Sequence, residues 1–93
     1  MFNVNEYFDG KVKSLGFANK DGAVTIGVMA TGEYEFGTST IEYMTVTSGE
    51  MKVLLPGESE WRVFGEFETF IVAKDTKFKV IVTDQVSYKC VYN

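Results

Sequence analysis

Apolar residues recur along the chain in short runs, some alternating with polar positions and some wholly apolar. Gly, Asp, Ser and Thr separate them at intervals of roughly eight to twelve residues. That spacing predicts an all-β protein. The expected strands are Lys11 to Phe17, Ala23 to Met29, Glu33 to Thr38, Ile41 to Thr47, Met51 to Leu55, Trp61 to Phe64, Thr69 to Ala73, Lys77 to Val82 and Ser87 to Tyr92. No window carries the apolar stripe of an amphipathic helix, so no substantial helix is expected. Lys20-Asp21-Gly22, Thr31-Gly32, Ser48-Gly49-Glu50 and Pro56-Gly57-Glu58 supply the turn chemistry between runs. So many short strands leave two packed sheets or a barrel as the way to cover the apolar faces.

Strand parity then sorts the faces, because successive side chains point to opposite sides. Phe78, Val80 and Val82 share one face while Lys77 and Lys79 take the other, which makes the Phe78 face the inner one. Tyr34, Phe36 and Thr38 share a face, and so do Glu42, Met44 and Val46. The last set is unusual. A carboxylate on an apolar strand face must be hydrogen-bonded, paired or set at the mouth of a wet pocket, since burying it bare is too costly.

Composition narrows the chemistry. The 93 residues, 45% hydrophobic and 15% aromatic, suffice for one core, and residues 1–93 are expected to form a single domain. No histidine is present, which removes the imidazole base and the commonest transition-metal ligand. The net charge of −4 argues against a nucleic-acid partner. No apolar run approaches the ~18 residues that span a bilayer, so no membrane association is expected. Cys90 is the lone cysteine and the N-terminal MFNVNEYFDG lacks a basic segment followed by an apolar run, so a cytoplasmic location is expected.

Glu42-x6-Gly49, preceded by Phe36-x-Thr38 and followed by Leu55-Pro56-Gly57, resembles the first cupin motif with its metal-binding residues replaced. In cupins an HxH pair stands where Phe36 and Thr38 stand, and a glutamate where Glu42 stands. A second, degraded motif begins at Gly65, has Ala73 near the usual proline, and places Phe78 at its histidine position. The resemblance therefore implies a cupin-like β-barrel of jelly-roll type with no metal.

The chain more specifically resembles, over essentially its full length, the small cupin-like pyrimidine/purine nucleoside phosphorylases. The residues that carry this are Asn5-Glu6-Tyr7-Phe8, Gly10-Lys11-Val12-Lys13-Ser14, Gly27-Val28-Met29 and Gly32-Glu33-Tyr34-x-Phe36-x-Thr38. Met44-Thr45-Val46-x-Ser48-Gly49, Val53-Leu54-Leu55-Pro56, Trp61, Phe70-x-Val72 and Tyr88-x-Cys90-x-Tyr92 continue it. The resemblance implies phosphorolysis of nucleosides such as uridine, cytidine, thymidine, adenosine, inosine, guanosine and xanthosine, by a homodimer. The products would be a free base and a pentose 1-phosphate. Inorganic phosphate would be the co-substrate, with no cofactor.

Phosphorolysis passes through an oxocarbenium-like state and uses a nucleophile that is already anionic, so a histidine-free site is compatible with it. Such a site needs an anion cradle, a grip on the ribose and a slot for the base. Glu42 is the candidate catalytic residue, gripping the ribose and opposing positive charge; its structural reading is a carboxylate that ties down a strand. Thr38, Ser39 and Thr40 offer hydroxyls and amides for phosphate, or form an ordinary Ser/Thr turn. Lys11 and Lys13 supply cations for phosphate, or guard a sheet edge. Tyr34, Phe36, Phe78 and Tyr88 form a base-stacking slot, for which Phe36 and Phe78 have the further argument of standing at former ligand positions, or simply part of the core. Arg62 is expected outside, and Met29, Met44, Met51 and Cys90 as core. The rival readings are a non-catalytic cupin that binds a sugar or nucleotide, and a structural dimer whose pocket has collapsed.

Overall fold

A computed structural model describes all residues from Met1 to Asn93 and contains strands only. In chain order these are β1 (Asn3–Tyr7), β2 (Val12–Asn19), β3 (Gly22–Met29), β4 (Gly32–Gly37) and β5 (Glu42–Ser48). β6 (Met51–Leu54), β7 (Arg62–Phe64), β8 (Thr69–Val72), β9 (Lys77–Val82) and β10 (Val86–Tyr92) complete the chain. They form a six-stranded sheet in the order β1-β2-β3-β10-β5-β8 and a four-stranded sheet in the order β4-β9-β6-β7. Every pairing is antiparallel. The two sheets pack face to face as a cupin-like jelly roll, and no helix is present to cross a membrane.

The predicted strands all form, with ends displaced by one or two residues. β1 is the strand that the pattern missed. Its residues NVNEY hold one aliphatic side chain, Val4, which faces outward and is 71% exposed, so no alternation marks the segment. β1 exists because β2 offers it an edge: Asn3 to Tyr7 pair with Gly16 to Val12 in unbroken register.

Parity holds over most of the strands, and β3 departs from it at Val24, which is buried on the face it shares with exposed Ile26 and Val28. Phe78, Val80 and Val82 are buried, as are Met44 and Val46, in one cluster of 17 residues that joins both sheets and so defines a single core. The valines Val46, Val53, Val72 and Val80 are wholly buried and fill the space between the sheets. The inner positions of β2 and β3 are different. Ser14, Gly16 and Ala18 from β2 meet Gly27, Thr25 and Ala23 from β3 in register. Side chains this small leave space beside them: Ser14 borders a cavity between the sheets, while Gly16, Ala18, Ala23 and Thr25 border a separate groove with β1.

Candidate active site

The cavity that Ser14 borders has a volume of about 510 Å³. Its floor is the inner face of the six-stranded sheet, and the pairing register sets its chemistry. Tyr92 of β10 stands directly opposite Glu42 of β5, Cys90 opposite Met44, and Tyr88 opposite Gly27 of β3. Ser14 lies across from Gly27 on its other side. Glu42, Tyr88, Tyr92, Ser14 and Met44 line the cavity, with Phe36, Gly37 and Phe78 from the facing sheet, Tyr7 from the end of β1 and Phe8 from the β1–β2 turn.

Glu42 is half-buried and has no cationic partner. Burial pushes its carboxyl above the ordinary value of 4.5, and a hydrogen bond from Cys90 partly offsets this. The Cys90 thiol donates to Glu42 Oε1 at 3.6 Å. Burial, reinforced by the Glu42 carboxylate, pushes that thiol up to about 12. Burial likewise raises Tyr88 to about 12 and holds Tyr92 well above the ordinary tyrosine value. At neutral pH these groups keep their protons and remain hydrogen-bond donors beside one carboxyl. Tyr92 shares a 3.0 Å hydrogen bond with Thr25, which fixes its ring. Tyr88 fits only because residue 27 is glycine: a Cβ there would fall 2.5 Å from the Tyr88 hydroxyl and 2.6 Å from its ring.

The opposite wall is aromatic. Phe36 and Phe78 have ring centroids 5.5 Å apart, with Phe78 buried and Phe36 only partly so. The predicted pair therefore faces the cavity together with Glu42 and Tyr88.

Several other expectations need correction. Tyr34 is buried behind the aromatic wall, and its hydroxyl donates to the Ala30 carbonyl at 2.6 Å, so it braces β4 without lining the cavity. Thr38 uses its hydroxyl to tie a loop, donating to the Ala73 carbonyl at 2.7 Å and accepting from the Thr76 amide at 3.1 Å. Ser39 is exposed and Thr40 is partly buried, and neither lines the cavity. Lys11 and Lys13 point to the outer face of β2, where Lys13 Nζ lies 3.2 Å from Glu6 Oε1. They border a separate shallow groove with Gln85 and Ser87. The only charged side chains on the cavity are Glu42 and, at its rim, the exposed Glu35. The hydroxyl-bearing residues on it are Tyr7, Ser14, Tyr88 and Tyr92.

Tyr92, Ser14, Tyr7 and Phe8 were absent from the expected site. Tyr92 was legible, since it shares the parity of Tyr88, whereas the apolar residues on both faces of the Lys11 to Phe17 run left Ser14 unmarked. Nothing local to the segment around Tyr7 and Phe8 signals their position. The residues at the cupin ligand positions do not fit a metal: two are phenylalanines, Thr38 is engaged in its loop, and no three His, Cys, Asp or Glu side chains cluster.

Residues 2–92 match the family described as pyrimidine/purine nucleoside phosphorylase. A curated relative of that name from Shewanella pealeana is 52% identical over 92 residues, covering 99% of both chains. The chain belongs to the pyrimidine/purine nucleoside phosphorylase family. A protein of unknown function from Vibrio parahaemolyticus is a solved structure similar to this family member, with a TM-score of 0.94 and 42% identity over 100% of this chain and 99% of that one. The solved structure of FeII HppE overlays with a TM-score of 0.81 at 8% identity, covering 99% of this chain and 56% of that one, a likeness of fold alone. The family resemblance read from the sequence and the cupin-like fold are thus both established for this chain.

Proposed function

We propose that this chain catalyses the reversible phosphorolysis of purine and pyrimidine nucleosides in the cytoplasm. Inorganic phosphate attacks C1′ of the pentose, the C1′–N bond breaks with its electron pair leaving on the base, the base nitrogen takes up the proton that the phosphate gives up, and a pentose 1-phosphate and free base result. One observation carries this reading: a half-buried carboxyl without a cationic partner shares a single cavity with an aromatic wall and protonated tyrosines. Glu42 opposes the positive charge that develops at C1′ and accepts from the pentose hydroxyls. The Phe36–Phe78 wall stacks a base without reading its edge, which accommodates purines and pyrimidines alike. The hydroxyls of Tyr88, Tyr92 and Ser14 are the donors available to phosphate, taking the part expected of Lys11, Lys13 and the Thr38–Thr40 cluster.

Incubation of the protein with inosine or uridine and phosphate is expected to release pentose 1-phosphate and free base in equal amounts. Nucleoside binding without phosphate-dependent turnover would instead favour a cupin that only binds a sugar or nucleotide. We also propose that the reaction needs no metal, since the ligand positions are filled by non-ligating side chains. Treatment with a chelator is expected to leave the rate unchanged, and a rate that falls and returns with added metal rejects this.

A homodimer is the proposed working unit. Val4, Leu15 and Ile26 stand in register across β1, β2 and β3 on the outer face and are 71%, 47% and 42% exposed. An apolar row of this kind suits a second copy. Sedimentation at micromolar concentration is expected to give a dimer, and Leu15→Glu a monomer. A monomeric parent protein would reject the arrangement.

A further inference from the structure

The β1–β2 turn holds consecutive residues in the left-handed backbone region, Phe8 at φ 53°, Asp9 at φ 56° and Gly10 at φ 83°. Its bonds run from Gly10 N–H to the Tyr7 carbonyl and from Lys11 N–H to the Phe8 carbonyl, each 3.2 Å. Glycine adopts this conformation freely and aspartate tolerates it, whereas a bulky side chain such as phenylalanine does so only at a cost. A turn selected for stability alone would have glycine or asparagine at position 8. Burial does not account for the choice either, because Phe8 remains 43% exposed.

The position of the ring does account for it. Phe8 leaves the edge hairpin of the six-stranded sheet and meets β4, the edge strand of the other sheet. Its centroid lies 5.0 Å from that of Tyr34 and 5.6 Å from that of Phe36, perpendicular to the latter. It lines the cavity together with Phe36 and Glu42. Two perpendicular rings make a corner, in which a flat ligand stacks on one ring and meets the edge of the other. Costly backbone geometry that persists at a ligand site is the pattern expected where the strained residue contacts the ligand.

We propose that Phe8 is a substrate-binding residue, forming with Phe36 the aromatic corner that holds the nucleoside base while the pentose faces Glu42. This rests on the reading of the cavity as a nucleoside site and adds to it a wall supplied by the turn. Recognition then comes from ring faces and edges, with no hydrogen bond to the base required. A purine, with its larger face, depends on Phe8 more than a pyrimidine does.

The test uses nucleoside alone, titrated calorimetrically without phosphate against the parent protein and variants at position 8, with thermal midpoints measured alongside. Phe8→Gly, which relieves the backbone, is expected to stay folded and to bind inosine at least tenfold more weakly, with a smaller loss for uridine. Phe8→Leu keeps apolar bulk but removes the ring and is expected to lose affinity similarly, whereas Phe8→Tyr retains it. Parent-like inosine affinity in both Phe8→Gly and Phe8→Leu overturns the proposal. So does an affinity loss that only tracks the fraction unfolded. A parent that binds inosine through Phe8 but releases no pentose 1-phosphate supports this assignment while rejecting phosphorolysis. A parent that binds no nucleoside rejects both.

Discussion

Glu42→Gln is expected to lower turnover by on the order of a hundredfold, equivalent to about 3 kcal/mol of transition-state stabilisation, while nucleoside affinity changes little. Glutamine is nearly isosteric and its carbonyl still accepts from the Cys90 thiol, but it carries no charge to oppose the developing cation. The same variant is expected to be as stable as the parent at neutral pH or more so. The sign follows from burial, which places the folded-state carboxyl above its ordinary value. The folded protein therefore binds the Glu42 proton more tightly than the unfolded chain does. The stability linked to this group is fully present below the ordinary value of 4.5 and is lost as pH rises through the folded value. Glutamine never ionises and escapes that loss. Thermal midpoints across pH should show the variant gaining on the parent as pH rises from about 4.5. Activity of the parent should show an acidic limb above that pH, absent from the residual activity of the variant. A Glu42→Gln protein with parental turnover removes Glu42 from the chemistry. One that is destabilised at neutral pH, with normal turnover in the folded fraction, assigns Glu42 to structure.

Gly27→Ala is expected to have the second largest effect, although it adds a single methyl group. Its backbone is ordinary β-strand, so alanine meets no conformational objection there. The obstacle is Tyr88, whose hydroxyl would lie 2.5 Å from the new Cβ. The ring must swing away, and Tyr88 is only 6% exposed, so there is little room for it to move except into the cavity. Overpacking of this kind costs about 1–3 kcal/mol, which lowers the thermal midpoint by several degrees in a domain of this size. The displaced ring also intrudes on the nucleoside site, and a rate loss of about tenfold or more is expected. Tyr88→Phe separates the two contributions, since it keeps the ring in place and removes only the hydroxyl. Its rate reports the value of that hydroxyl as a donor. Full stability and full activity in Gly27→Ala would show that the close approach of Tyr88 is dispensable.

The inward set Glu42, Met44 and Val46 was readable because strand side chains alternate with a period of two, and a carboxylate among apolar neighbours stands out against that pattern. Phe36 and Phe78 were found through their place in the degraded cupin motifs, and both line the cavity. Lys11 and Lys13 were harder to place. In the run from Lys11 to Phe17 the lysines share a face with Leu15 and Phe17, so apolar content does not mark which side is inner. Pairing resolves it, since Val12 and Ser14 point between the sheets and leave the lysines outside with Glu6. The hydroxyl of Thr38 looked available in sequence because its partners, the Ala73 carbonyl and Thr76, lie more than thirty residues downstream.

The sequence by itself determined nine of the ten strands, the inner faces of those with clear alternation, the retained glutamate and the family, because each of these is carried by local periodicity or by ordered motifs. The cavity is a different kind of property. Cys90 meets Glu42 across 48 residues of chain, Tyr92 stands opposite Glu42 only through the β5–β10 register, and Phe8 reaches β4 only because its hairpin is the edge of the other sheet. Strand parity says which side of a sheet a residue faces, and it is set by the backbone within a few residues. Which residues face one another is set by long-range pairing and by the packing of two sheets. The tertiary structure alone therefore decided that tyrosine hydroxyls, and no lysine, surround the carboxyl, and that a strained turn supplies part of the aromatic wall.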